Sequence, residues 1–336
     1  MMTALEKQSQ FLRKIEDILP KNTTLVNELS DVLKISTDSA YRRMRGETFL
    51  VIDEILLLCN HFNVSFDSLN PAREGVVSFR YSKMEPTRDS FIQYLTGLLK
   101  DLEVIEKAAR HRITYACEDI PVFHHYRNPV MSQFKIFYWM QAILNIPEME
   151  SEKFNISVID EELGEIGNKI YELYSRVPSV EVWTETTIQS TAKQIEFFWE
   201  AGKFASRADA LAVCSSFRDE ISDIQKQAER SSKLTAGDGL PQDGDINYQL
   251  YYSEIEITNN SVLIEMGGIN SVYMGHFSFS TMSTTSESYC LETRKWFDTI
   301  IRKSAPISGV SEKQRYQVFK KYFNQIDALE QKINLG

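Results

Sequence analysis

The stretch ISTDSAYRRMRGE, residues 35–47, sets three arginines within four residues, in a chain of 336 residues with a formal net charge of -10. Arg42, Arg43 and Arg45 stand beside Asp38 and Glu47. A guanidinium group is planar and permanently charged, and its fork of donors matches carboxylates, phosphates and the guanine edge. Such a cluster is either a solvated helix face or a surface that meets phosphates and base edges.

The other residues with chemical potential are fewer. PVFHHYRNP (121–129) sets His124, His125, Tyr126 and Arg127 between prolines. A metal site needs more ligands than this, and adjacent histidines in an extended segment point to opposite faces. An ordinary structured loop is the first expectation there, with a contribution to a ligand pocket as the second. His111 with Arg112, and His276, are expected to be structural or exposed. The aromatic groups Phe134, Phe137, Tyr138, Trp139 and Phe197, Phe198, Trp199 have helical spacing and are expected in the core. The acids of DEELGE (160–165) suit the start of a helix, where carboxylates meet the positive end of the dipole. No G-x-S-x-G, Walker loop or G-x-G-x-x-G occurs, so no catalytic constellation, cofactor or metal is expected.

The elements that position these residues can be read from periodicity. Leu5, Phe11, Leu12, Ile15, Ile18 and Leu19 form one stripe, closed by Pro20. TTLVNELSDVL (23–33) starts at a threonine cap, Thr24, and brings Leu25, Leu29, Val32 and Leu33 together. After the joint Lys34-Ile35-Ser36, Ser36 can cap the next helix and Gly46 can end it in the left-handed conformation. VIDEILLLCNHFNVSFDSL (51–69) predicts an apolar helix stopping at Asn63 and one more short turn, with a domain edge at Pro71–Gly75. Residues 76–82 allow a short strand. Helical spacing then predicts helices near 87–115, 130–145, 160–175, 184–201 and 206–230, and SSKLTAGDGLPQDGDIN (231–247) reads as a linker. QLYYSEIEIT, SVLIEMG and NSVYMGHFSFS alternate like antiparallel strands, with turns at Asn259-Asn260 and Gly267-Gly268. Two helices, near 284–303 and 311–333, follow.

The spacing over 24–46 resembles the helix-turn-helix of the phage-repressor family, the Cro-like or xenobiotic-response-element type. Glu28-Leu29-Ser30 puts a small residue where two helices cross, Leu33 and Ile35 bracket the turn, and Ala40 and Met44 form the inward face of the second helix. Residues 56–69 continue as that family's fourth and fifth helices do. The resemblance covers residues 5–70 and departs at Lys34 and Asn63, where glycine is usual. A left-handed lysine costs about 1 kcal/mol. Thr37, Asp38, Ser39, Tyr41, Arg42 and Arg45 are then left outward. The resemblance implies a recognition helix in which Arg42 bonds guanine and Asp38 accepts from a cytosine amine, while Tyr41, Arg43 and Arg45 meet the backbone. Thr24 and Ser36, at the two helix starts, complete the expected DNA-binding set. The C-terminal strands and helices loosely resemble sensor domains that follow such units in some bacterial regulators.

Composition bounds the rest. Hydrophobic content of 43% and charged content of 25% are those of an ordinary globular chain. The acidic balance argues against a general polyanion binder but permits a local basic face. Cys59, Cys117, Cys214 and Cys290 form no C-x-x-C pair, which favours a reducing compartment. FKIFYWMQAILNI (134–146) is too short for a bilayer, so a cytoplasmic protein without membrane contact is expected. The expected fold is mainly α with a C-terminal α+β part: a helix-turn-helix bundle over 1–72, a helical middle over 76–232, and a small antiparallel sheet with helices over 246–336. The expected function is a sequence-specific DNA-binding transcription regulator, not an enzyme. Double-stranded DNA is its partner, it forms a homodimer, and its C-terminal region senses a small-molecule or peptide effector or dimerises. A peptide-pheromone-type helical regulator, or an enzymatic domain tethered to a DNA-binding module, is the alternative.

Overall fold

Leu29, Ala40 and Leu58 come from three separate helices and are all fully buried, marking the centre of the first of two compact units, Met1–Ser78 and Phe79–Gly336. In this computed structural model the described residues are 3–17, 19, 23–62, 64, 76–158, 160–235, 246–276 and 279–335. Ile18, Pro20, Asn63, the edge at Pro71–Gly75, and 236–245 of the expected linker lie outside them.

In the first unit α1 (Ala4–Asp17), α2 (Leu25–Leu33), α3 (Thr37–Met44) and α4 (Ile52–Phe62) enclose one apolar cluster. Phe11, Leu12 and Ile15 of the α1 stripe are buried, whereas Leu5 at its start is largely exposed. Leu5 lies against Gly46, where a Cβ would meet Leu5 Cδ1 at 1.9 Å. Gly46 also has φ +74°, so both space and backbone favour glycine. Buried Gln8 ties α1 to the segment after α3. Its Nε2 donates to Arg43 O (2.8 Å) and Thr48 O (2.9 Å), and its Oε1 accepts from Leu50 N at 2.8 Å.

The second unit is built on one sheet of eight strands among the described residues, in the order β1-β7-β6-β5-β2-β3-β4-β8. These are β1 (Arg80–Tyr81), β2 (His111–Cys117), β3 (Ser179–Trp183), β4 (Tyr248–Tyr252), β5 (Ser261–Met266), β6 (Ile269–His276), β7 (Ser280–Thr284) and β8 (Ala305–Pro306). β2, β3 and β4 run parallel, and every other pairing is antiparallel. The wholly antiparallel C-terminal sheet expected from alternation is therefore corrected: β4 lies parallel to β3. Strands β2 and β3, from the expected helical middle over 76–232, pair with β5 and β4 of the expected C-terminal part over 246–336.

The helix expected over 87–115 stops at α5 (Arg88–Lys107), and the one expected over 184–201 starts only at α9 (Gln189–Glu200). Residues 111–115 of the first expected helix belong to β2, while β3 precedes the second, in a stretch for which no element was expected. Both strands lie inside the sheet and are buried on both faces, so burial does not alternate along them. The remaining helices are α6 (Val122–His125), α7 (Pro129–Tyr138), which continues in a π-helical turn Trp139–Ile143, α8 (Glu161–Arg176), α10 (Arg207–Arg230), α11 (Glu287–Lys303) and α12 (Glu312–Leu335).

On one sheet face Ala116, Val182, Leu263 and Val272 pack with Cys290, Phe297 and Ile300 of α11. Ile113, Tyr115, Val262 and Ile264 alternate to the other face, whose cluster takes in Phe91 of α5, Phe134 of α7, Tyr174 of α8, Phe217 of α10 and Phe319 of α12. The expected core aromatics Phe134, Trp139 and Phe198 are in this cluster, while Phe197 is exposed. The hairpin between β5 and β6 turns on Gly267 (φ 54°) and Gly268 (φ 110°), two successive left-handed residues as such a turn requires. Among the described residues no helix is long and apolar enough to cross a membrane.

Candidate functional site

The arginine stretch forms the short helix α3, and its limits are set locally. Lys34, after α2, has φ 55° and ψ 43°, the left-handed conformation that turns the chain between the two helices. Ile35 N donates back to Ser30 O at 3.1 Å, closing the turn. Ser36 caps α3, its Oγ accepting from Ser39 N at 3.3 Å. Thr24 occupies the cap position of α2, but its side chain makes no capping hydrogen bond. The expected threonine cap is thus corrected: only its carbonyl serves, accepting from Asn27 N at 3.1 Å and Glu28 N at 3.2 Å.

Burial of Ala40 against the first-unit core orients α3. Thr37, Asp38, Tyr41, Arg42 and Arg45 are exposed, and so are Thr24 and Ser36, while Ser39 is half-buried. Arg42 and Arg45 converge on Glu47, with Nε atoms at 3.7 and 2.8 Å from its carboxylate, in pairs open to solvent. Exposed pairs of this kind are worth little, so both guanidinium groups can exchange Glu47 for another anion.

Arg43 is placed differently. Its Nε and one terminal nitrogen donate to Glu54 at 3.0 and 2.6 Å, the other terminal nitrogen donates to Ser39 O at 3.2 Å, and its side chain is only 15% exposed. Burial alone would raise the Glu54 carboxyl pKa. The hydrogen bonds from Arg43 and from Val51 N–H outweigh burial and hold it below its usual value. Arg43 fastens α3 to α4 from behind the exposed face, its guanidinium engaged by Glu54 and Ser39 O.

In the second unit the two adjacent histidines lie on α6, a helix rather than the expected loop or extended segment, and both are buried. Successive helical residues are rotated by about 100°, so each imidazole reaches its own carboxylate. His124 Nε2 is 2.9 Å from Glu181 Oε1, and His125 Nδ1 is 2.9 Å from Glu220 Oε1. Glu181, on central strand β3, also accepts from Tyr174 OH (2.5 Å), Trp183 Nε1 (2.8 Å) and Tyr248 OH (3.0 Å). Burial works to raise its pKa. The charge and hydrogen bond of His124, with the Tyr174 hydroxyl and Lys233, prevail and lower it. Lys233 donates to Tyr174 O (2.9 Å) and Val177 O (2.5 Å), closing the carbonyl end of α8, and burial brings its pKa down to about 7.

The second pair behaves oppositely. Burial pushes Glu220 up to about 7 and His125 well below its usual value, so below about pH 7 the carboxyl, not the imidazole, is the group that holds the proton. Nearby, fully buried Lys135 donates to Thr191 Oγ1 (2.7 Å) and Gln194 Oε1 (2.9 Å), and burial lowers its pKa. From Gln194 the hydrogen bonds run through Ser190 (3.2 Å) to Asp119 (3.0 Å). Asp119 and His125 both line a cavity of about 410 Å³, together with Tyr115, Trp139 and Phe279.

Glu181 carried one signal in the sequence, as a lone acid within the apolar run SVEVW. Lys135 carried a similar one, as a lone base within the apolar run FKIFYWM, whereas Glu220 and Asp119 carried none, because each stands among residues that read equally well as a solvated surface. No family model, curated protein or solved structure matches the chain.

Proposed function

We propose that the chain is a sequence-specific DNA-binding transcription regulator in which α3 enters the major groove, and that residues 79–336 sense an effector or mediate dimerisation. The observation that carries this reading is α2, the left-handed turn at Lys34, and α3 over buried Ala40, with Thr37, Asp38, Tyr41, Arg42 and Arg45 exposed. A helix presented in this way, with its first turns free of side-chain cover, suits base edges at its start and phosphates at its end. Asp38 and Arg42 lie one helical turn apart and serve as base readers, the acid for a cytosine amine and the guanidinium for guanine. Arg45, at the helix end, serves as a phosphate contact, and Tyr41 supports it. One such unit covers little DNA, so a dimer reading two half-sites follows.

The test is selection from a random duplex library with the full chain, then titration of the enriched site and a scrambled duplex at two salt concentrations. Arg42→Ala weakens the selected site by about 1–3 kcal/mol and relaxes one base pair. Arg45→Ala weakens both duplexes alike and lowers the salt slope by about one. Failure of the folded wild-type chain to enrich any duplex overturns the proposal.

A further inference from the structure

The cavity of residues 79–336 has a lining more specific than its size. At about 410 Å³ it falls in the range of small-molecule sites. Tyr94, Tyr115, Phe123, Trp139, Tyr273 and Phe279 all contribute to its wall. The rings hold one another in place: Phe279 lies 5.4 Å from Trp139, 5.4 Å from Tyr94 and 5.5 Å from Phe91, centroid to centroid. Tyr94 OH donates to Phe279 O at 2.7 Å, pinning the same aromatic group to the backbone. The wall is therefore preformed, and a ligand need not order it.

Charge around the cavity is unevenly distributed. Arg80, Lys83 and Asp101 line it at exposed positions, and Lys83 is paired with Glu85 at 2.8 Å. Among the described lining residues away from that rim, Asp119 is the formally charged group. Its carboxylate is held by Ile120 N at 2.8 Å and by Ser190 Oγ at 3.0 Å. His125 lines the same region and is kept neutral by burial. Lys135 does not line the cavity, and its ammonium is directed to Thr191 and Gln194. A buried anion would therefore meet a carboxylate, with cations only at the rim, Arg80 and Lys83, and behind the wall, where Lys135 Nζ lies 5.7 Å from the Trp139 ring centroid. A cation would meet that carboxylate together with aromatic faces, whose quadrupole attracts positive charge.

We infer that this cavity binds a small organic cation, an amine with an aromatic or branched apolar body, with its ammonium group on Asp119 and its body among the aromatic rings. The inference rests on the regulator reading only in calling that amine an effector; the binding itself does not depend on DNA.

The experiment is calorimetric titration and thermal melting of the full chain, without DNA, against benzylamine, 2-phenylethylamine and tryptamine. Each amine is paired with a carboxylate of matching skeleton. Two variants accompany the wild type. Asp119→Asn removes the charge and keeps an acceptor. Gly97→Leu adds a bulky side chain at a lining position of α5 that is exposed and where a Cβ meets nothing within 4 Å, so the helix tolerates it. At least one amine is expected to bind and to raise the melting temperature, with its matched carboxylate at least about tenfold weaker. Asp119→Asn is expected to weaken that amine at least about tenfold, and Gly97→Leu to abolish its binding while melting at or above the wild-type temperature. A carboxylate binding as well as its amine, an undiminished amine response in folded Gly97→Leu, or no response to any amine overturns the inference. Because no DNA is present, failure here is distinguishable from failure of the DNA-reading proposal.

Discussion

Glu181 Oε1 lies 2.9 Å from His124 Nε2, and the same carboxylate accepts hydrogen bonds from Tyr174, Trp183 and Tyr248, so four donors from three elements and one strand neighbour meet on one buried acid. The acid sits on β3, the histidine on α6, and the tyrosines on α8 and β4. Removing the carboxylate leaves several buried donors without a partner. Glu181→Ala is expected to lower the stability of residues 79–336 by about 3–5 kcal/mol. Glu181→Gln, which keeps one carbonyl acceptor, is expected to cost less. Urea unfolding followed by tryptophan fluorescence reads the difference, since Trp183 belongs to the cluster.

The His125–Glu220 pair predicts a pH dependence. Burial raises Glu220 from 4.5 to about 7, so between those values the folded chain holds a proton that the unfolded chain has released. Stability from this group is therefore fully present below the unfolded pKa and is lost as pH rises through about 7. Glu220→Gln keeps a donor facing His125 and cannot ionise. The stability of the wild type minus that of Glu220→Gln is expected to fall from pH 4.5 to pH 8. Taking this difference removes the opposing contribution of Lys233, whose lowered pKa makes stability rise with pH above about 7. Melting temperatures of both proteins across that range check it, and a flat difference would sink the assignment.

Lys34 holds a left-handed backbone that only glycine adopts without strain. Lys34→Gly is expected to stabilise residues 3–64 by about 0.5–1 kcal/mol. Ser36→Ala, which removes the cap of α3, is expected to cost about 1 kcal/mol. Chemical denaturation followed by far-ultraviolet circular dichroism measures both, and opposite signs are the result to look for.

Neighbouring arginines should separate by role. Arg43→Ala breaks the half-buried pair with Glu54 and is expected to lower the stability of the first unit by about 1–3 kcal/mol. Arg42→Ala is expected to leave the melting temperature unchanged, because its pair with Glu47 is exposed. Equal melting temperatures for the two variants would contradict the division between scaffold and surface.

Residues 35–47 carried their own local limits. Ser36 caps, Gly46 closes, and the contrast between Ala40 and its polar neighbours fixes which side faces inward, because all three depend on hydrogen bonds or contacts within about one helical turn. The hairpin at Gly267-Gly268 was legible for the same reason. Two features were decided only by tertiary structure. β2 and β3 are short, and their parallel pairing needs partners more than sixty residues away, so only the assembled sheet makes them its inner strands. The site chemistry is equally non-local: His124 and Glu181 are 57 residues apart, and His125 and Glu220 are 95 apart. Residue type alone makes Glu220 a surface acid and Lys135 a solvated base. Packing removes the water from both, which raises the pKa of Glu220 and lowers that of Lys135.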